Sequence, residues 1–386
     1  MFVQLGDLTV HAQADGPPHG EAVLLLHSLG TDLHVWDPQA AALARRGHRA
    51  VRMDLRGHGL TGAPPGAYTM ELLARDALGL MEAIGTRRAH VCGVSIGGRI
   101  AMEMAALAPD RVSSLVLCDT ALEFPPPETW QQRMDAVAKG GMGAIADAVM
   151  ERWVVDRSLP SSKGLRRMLL STDPAGYAGC AAALRDTRAS GVAGRITCPA
   201  TVVVGDKDAS TPPSAAEAVR DAIPGSEMVT IAGAAHIPNF EHEAAVTGAL
   251  VGHMQKVTAP SGASAAEAGN AVRRAVLGEA HVARSEAATT PLDTPFRDFI
   301  LEGVWGRVWT RPGLARRDRS LLCLGMLAAL GHDEELRLHV RATRNTGVTE
   351  DEIAEVLLQV AAYAGVPAAN SALRVAKEAL DELRRG

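Results

Sequence analysis

Aromatic side chains are scarce, at 3% of 386 residues. Packing therefore falls to alanine, leucine and valine, and with 47% of residues hydrophobic there is material for more than one core. An excess of positive charge is also missing. The 39 Lys and Arg stand against 44 Asp and Glu, a net charge of −5, so no electrostatic footprint for nucleic acid or for an anionic membrane surface is present. Cysteine is limited to Cys92, Cys118, Cys180, Cys198 and Cys323, an odd number without CxxC or Cys/His spacing. Neither a disulfide framework nor a zinc site is expected. The longest strongly apolar stretch, Leu321 to Leu330, is too short to cross a bilayer. The opening MFVQLGDLTVHAQADG has no basic segment leading into an apolar run. These absences point to a cytoplasmic protein with no membrane and no nucleic-acid partner.

What is present divides the chain in two. Short Val/Leu-rich runs at AVLLLH (22–27), AVRMD (50–54), HVCGVS (90–95) and SLVLCD (114–119) alternate with helical patterns such as MELLARDALGLMEAIG (70–85). Strands alternating with helices predict a mostly parallel sheet covered on both faces. From about 121 to 190 the pattern is helical only, with breaks at Pro125–Pro127 and Gly140–Gly143, and strand-like runs then resume with ATVVVGD and SEMVTIAG. The expectation is a helical cap at about 121–190 inserted into an α/β domain of residues 1–256. The segment 257–268, rich in Pro, Gly, Ser and Ala, reads as a linker. Residues 269–386 read as all-α. In VTEDEIAEVLLQVAAYAG, Thr349 and Glu352 form a capping box and Gly365 closes the helix.

The strongest chemical signal is Gly93-Val94-Ser95-Ile96-Gly97, between a strand and the helical run RIAMEMAALA. A serine on a tight strand-to-helix turn is exposed for attack, and the helix N-terminus, beginning with the Ile96 N–H, can stabilise an oxyanion. A serine hydroxyl needs a histidine to take its proton and an acid to orient that histidine. GDKDAST supplies Asp206 and Asp208 after the strand TVVVG, and IAGAAHIPNFEH supplies His236 after the next strand.

The elbow and the order Ser, Asp, His resemble the α/β-hydrolase family. That resemblance places the acid three residues past the glycine, which favours Asp208 over Asp206. It also implies a second oxyanion donor just after His27, where Ser28 replaces the usual Gly and Leu29 N–H would serve. The loop RMDLRGHG (52–59) is typical of the fold and is read as structural. HSLGTDLHVWDPQ, VSIGGRIAMEMAALAPDRV, LCDTA with ERW (151–153), and GAAHIPNFE are more specifically similar to β-ketoadipate enol-lactone hydrolases over nearly all of 1–254. The resemblance implies a small anionic lactone substrate, with Arg133, Arg152 and Arg99 as candidates for holding its carboxylate.

The stretches AVRRAVLGEAHV (271–282), VWGRVWTRPGLARRDRSLLCLGMLAALG (304–331) and EELRLHVRATRNTGVTEDEIAEVLLQVAAYAGVPAAN (334–370) resemble γ-carboxymuconolactone decarboxylases. No cysteine follows Cys323, which excludes the CxxC peroxidase chemistry of the wider family. The implied decarboxylation calls for no cofactor. It needs an anion clamp, for which Arg319 is the candidate, and a proton donor, for which His339 with an ordinary histidine pKa is the candidate. His281 and Arg341 are lesser candidates. The resemblance also implies homo-oligomers formed through the helical domain. Taken together, the expectation is a bifunctional enzyme of protocatechuate breakdown. The alternative is a different lactonase or esterase whose helical domain only assembles the chain.

Overall fold

A computed structural model describes residues 1–189, 191–258, 264–311 and 313–385. The chain forms two compact units that divide between Val257 and Thr258. The first is built on a sheet of eight strands: β1 (Phe2–Leu5), β2 (Leu8–Asp15), β3 (Ala22–Leu26), β4 (Arg49–Met53), β5 (Ala89–Val94), β6 (Val112–Cys118), β7 (Ala200–Gly205) and β8 (Glu227–Ile231). Their order is β1-β2-β4-β3-β5-β6-β7-β8. β3, β5 and β7 are buried along their whole length, as expected for continuous apolar strands covered on both faces. From β4 to β8 every pairing is parallel, whereas β1–β2 and β2–β4 are antiparallel. The β1–β2 hairpin was not among the expected strands. In the sequence the alternation of LTVHAQAD and the turn at Gly6, with φ of +60°, mark it.

Helices α1 (Asp37–Ala44), α2 (Met70–Ala83) and α3 (Ile96–Leu107) connect the central strands. α2 starts where the Thr69 hydroxyl accepts from Leu72 N–H. Between β6 and β7 the chain forms α4 (Pro127–Gly140), α5 (Ala146–Trp153), α6 (Pro160–Ser171) and α7 (Pro174–Asp186), the helical insertion expected at 121–190. α8 (Pro213–Ala222), α9 (Pro238–Glu241) and α10 (Glu243–Thr258) complete the unit. The arrangement places the C-terminal ends of β5, β7 and β8 beneath the cap, where open α/β sheets bind ligands.

The expected linker at 257–268 is shorter than its composition suggested. α10 continues through 257 and 258, and α11 (Ala265–Leu277) begins directly after Ser264, whose side chain forms a capping box with Glu267. Residues 259–263 lie outside the described residues. α11 leads into α12 (Glu279–Ala287), α13 (Thr294–Phe299), a π-helix (Ile300–Trp309), α14 (Arg316–Leu330), α15 (Asp333–Thr346), α16 (Glu350–Tyr363) and α17 (Val366–Arg385). The described part of this unit contains no strand, and α16 carries the expected Thr349–Glu352 box. Val272, Val276, Leu301, Trp305 and Trp309 form one of its cores and Leu324, Leu336, Val340, Ile353, Leu357 and Val375 belong to the other. α11 crosses the π-helix at Gly269 and Gly306. A Cβ on Gly269 would lie 2.2 Å from the Leu301 carbonyl oxygen, so only glycine permits this approach.

Candidate active site

Ser95 sits between β5 and α3 with φ of +57° and ψ of −120°, a strained turn for a side-chain-bearing residue. Its neighbours explain why glycine flanks it. A Cβ on Gly93 would fall 2.2 Å from the backbone of Gly97, and one on Gly97 would fall 2.3 Å from the Leu26 carbonyl oxygen. The turn is held from β6: Ser95 N–H donates to Cys118 O at 2.9 Å, and the Thr120 hydroxyl donates to Ser95 O at 2.7 Å. Between these two residues lies Asp119, fully buried and itself at φ of +42°. Burial, reinforced by nearby Asp208, pushes its carboxyl well above the usual range.

His236 Nε2 lies 2.9 Å from Ser95 Oγ, and His236 Nδ1 lies 2.8 Å from Asp208 Oδ2. Asp208 is 3% exposed. Its Oδ1 accepts the backbone N–H groups of Ser210 and Thr211, and its Oδ2 also accepts the Thr211 hydroxyl at 2.6 Å. Burial raises its pKa, but adjacent His236 and the Thr211 donors outweigh that and hold it below the ordinary carboxylate value. Asp206 is occupied elsewhere, accepting from Gly233 N–H at 2.7 Å. Thr211 was not singled out in the sequence, although the D-x-S-T spacing that lets Asp208 cap its own turn was visible there.

A cavity of about 440 Å³ opens above Ser95, lined by Ser28, Leu29, His236, Phe124, Trp130, Arg133, Arg152, Trp153 and Tyr177 among others. Leu29 lines the cavity together with Ser95, and Ile96, which follows the serine, opens α3. Of the three candidate arginines, Arg133 and Arg152 face this space, and neither forms an ion pair among the described residues. Arg133 is braced over the Trp130 ring, 4.8 Å from its centroid. Arg99 is a correction. It is buried, with Nε donating to Leu122 O and Nη1 paired with Glu103 at 2.8 Å, and it does not line the cavity. Its charge is already neutralised on α3.

In the helical unit, His339 on α15 stacks against Trp309, with ring centroids 6.3 Å apart and planes at 24°. Its Nδ1 is buried without a hydrogen-bond partner. Arg319 on α14 donates from Nη2 to Arg311 O at 2.9 Å, while its Nε is likewise buried and unpartnered. Both side chains thus converge on the segment 309–311. The expectation of an ordinary pKa for His339 is overturned: burial lowers it, with only Glu335 opposing. Arg341 is paired with Glu382. His281 is lowered by burial and by the charges of Arg273, Arg284 and Arg341. Among the described residues no group of three His, Cys, Asp or Glu side chains is placed to hold a metal ion, and no helix is long and apolar enough to span a membrane.

Comparison with known proteins matches residues 21–243 to the alpha/beta hydrolase fold and 295–378 to the carboxymuconolactone decarboxylase family. The C-terminal part is 47% identical over 112 residues to 4-carboxymuconolactone decarboxylase of Acinetobacter baylyi, covering 29% of this chain and 84% of that one. The N-terminal part is 28% identical over 237 residues to 3-oxoadipate enol-lactonase 1 of the same organism, covering 60% of this chain and 88% of that one. Among solved structures, the enol-lactonase from Burkholderia xenovorans LB400 is similar with a TM-score of 0.64 and 35% identity, covering 66% of this chain and 99% of that one.

Proposed function

Since the chain belongs to the α/β-hydrolase fold family and, through its C-terminal unit, to the carboxymuconolactone decarboxylase family, we propose that it catalyses two consecutive reactions. The C-terminal unit decarboxylates 4-carboxymuconolactone, and the N-terminal unit hydrolyses the resulting 3-oxoadipate enol-lactone to 3-oxoadipate. The observation that carries this reading is that each unit matches nearly the whole length of a relative, and that the product of one named activity is the substrate of the other.

In the hydrolase, Ser95 Oγ attacks the lactone carbonyl while His236 Nε2 takes its proton. Asp208 holds the imidazole by Nδ1 and stabilises its charged form. The developing oxyanion is received by the Leu29 and Ile96 N–H groups. Collapse breaks the ring C–O bond, and protonated His236 returns its proton to the leaving enolate, which ends as a ketone and leaves His236 neutral again. Water activated by His236 then releases the acid from Ser95. Arg133 and Arg152 bind the carboxylate of the substrate, because a partly dry, aromatic-lined cavity cannot leave that charge unpaired.

In the decarboxylase, the bond to the departing carboxylate breaks and its electrons pass through the conjugated double bond into the lactone carbonyl. The dienolate is then protonated at carbon. Arg319 fixes a substrate carboxylate. His339 is neutral in the free protein near pH 7; a bound dianion raises its pKa and makes it the proton donor. Neither step calls for a cofactor.

The helical unit also exposes Leu292, Phe296, Phe299, Leu330, Leu358 and Tyr363 to solvent, each more than 60% accessible. Apolar area on this scale in a small unit supports self-association into a homo-oligomer. Supplying 4-carboxymuconolactone to the purified protein and identifying the products tests the reading. Release of carbon dioxide with formation of 3-oxoadipate supports it. Hydrolysis of simple esters with no decarboxylation would favour the reading in which the helical unit only assembles the chain.

A further inference from the structure

The loop 52–59, read from sequence as structural, reaches the catalytic machinery through one side chain. Gly30 N–H donates to His58 Nε2 at 2.9 Å, and His58 Nδ1 lies 3.0 Å from Arg56 O. Because the amide is a donor, Nε2 must be unprotonated, and Nδ1 then carries the proton given to Arg56 O. This fixes one neutral tautomer. Burial, and next the neighbouring His27, push the His58 pKa down to about 3, so the arrangement persists throughout the neutral range. On the other side of Leu29, the Ser28 carbonyl accepts from Thr31 N–H at 3.1 Å, from the Thr31 hydroxyl at 2.9 Å and from His27 Nδ1 at 2.8 Å. His27 Nε2 in turn accepts Leu55 N–H at 2.8 Å, from the same 52–59 loop.

The geometry has a direct consequence for Leu29. In a trans peptide the C=O and N–H point in opposite directions. Pinning Ser28 O against Thr31 and His27 therefore turns Leu29 N–H the other way. Pinning Gly30 N–H on His58 fixes the next peptide plane. Both planes flanking Leu29 are thus held, and no acceptor among the described residues meets its own N–H. Gly30 itself, at φ of +82°, abuts the cap: a Cβ there would lie 2.7 Å from the Leu169 side chain.

We propose that His58 is a positioning residue for the oxyanion hole, holding the Gly30 amide so that, with the Thr31–His27 clamp on Ser28, Leu29 N–H is aimed at the oxyanion formed over Ser95. This rests on the serine-hydrolase reading above. Removing an oxyanion donor outright typically costs about 10²–10³ in turnover; loosening one should cost less.

The test uses the full chain, p-nitrophenyl acetate as substrate and phenylboronic acid as a tetrahedral mimic that bonds to the serine. Hydrolysis by wild type and none by S95A is required first; its failure would reject the serine-hydrolase reading itself. H58A should then lose roughly ten- to hundredfold in kcat with KM within about threefold, and bind the boronic acid more weakly by a similar factor. H58Q can both accept from Gly30 and donate to Arg56 O, and should restore at least about a third of the wild-type kcat. The proposal is overturned if H58A keeps kcat within threefold, if the loss falls on KM, or if Gln is no better than Ala. Should H58A fail to fold by circular dichroism, T31V carries the test: kcat falls at least about threefold at constant KM, and an unchanged kcat overturns the proposal.

Discussion

In the N-terminal unit, Ser95, His236 and Asp208 find hydrogen-bond partners for their side chains within the protein, and Asp208 alone accepts four. In the C-terminal unit, His339 Nδ1 and Arg319 Nε are buried with no partner. Buried polar groups are normally satisfied, and these two stand among several orphaned atoms of the described residues, Asp119 Oδ2 beside the triad included. A hydrolase that creates charge during reaction benefits from dipoles and hydrogen bonds set in advance. On the proposed reading, a substrate dianion would supply the partners that His339 and Arg319 lack, whereas the triad is hydrogen-bonded within the protein.

The largest expected effect separates the two regions cleanly. Ser95→Ala should reduce turnover of added enol-lactone by at least about 10⁴-fold, since the nucleophile has no substitute in the triad. His339→Ala should reduce decarboxylation by about 10²–10⁴-fold and leave enol-lactone hydrolysis untouched. Its pH profile sharpens the contrast. The free-protein pKa of His339 is lowered by burial, so the kcat/KM profile should fall as pH rises through a value below about 6.5. The kcat profile, which reports the complex, should be displaced upward by the bound dianion. Both ionisations should vanish in the variant. Equal effects of either substitution on both reactions would break the separation.

A smaller effect is expected at the cap. Arg133→Ala and Arg152→Ala should each raise KM for the anionic lactone by about 10- to 100-fold, the worth of a hydrogen-bonded charge pair. Hydrolysis of a neutral aryl ester should barely change. Measuring both substrates in each variant distinguishes carboxylate binding from a general loss of cap structure.

A last expected effect concerns stability in the first unit rather than turnover. His253 bridges the Thr201 and Ser114 hydroxyls, and burial lowers its pKa to about 4. Unfolding frees it to bind a proton near its ordinary value of about 6.5. Between those values the unfolded chain binds more protons, so stability is present above about pH 6.5 and is lost as pH falls towards 4, by up to about 3 kcal/mol. His253→Gln should flatten that window in urea unfolding followed at pH 7 and pH 5; an unchanged slope would contradict the assignment.

Sequence legibility followed how local each signal is. The Gly93–Gly97 elbow and the runs of β3, β5 and β7 were readable because strain and continuous burial restrict residue choice at single positions. The choice of Asp208 over Asp206 needed only the family spacing, and the structure adds the reason Asp206 is unavailable, its bond to Gly233. Arg99 was misplaced because its Glu103 partner one helical turn away is common on any helix and says nothing of which way the face turns. The His58–Gly30 bond joins residues 28 positions apart and has no sequence signature. The buried state of His339 was equally hidden, since Trp309 reaches it from the π-helix, an element that sequence periodicity does not announce.

The central claim, two separable and consecutive sites in one chain, is tested most directly by giving 4-carboxymuconolactone to the Ser95→Ala protein while following carbon dioxide and organic products together. Decarboxylation should proceed at the wild-type rate, with enol-lactone accumulating and 3-oxoadipate appearing only as fast as spontaneous hydrolysis allows. Prompt formation of 3-oxoadipate, or loss of carbon dioxide release along with hydrolysis, would contradict the account.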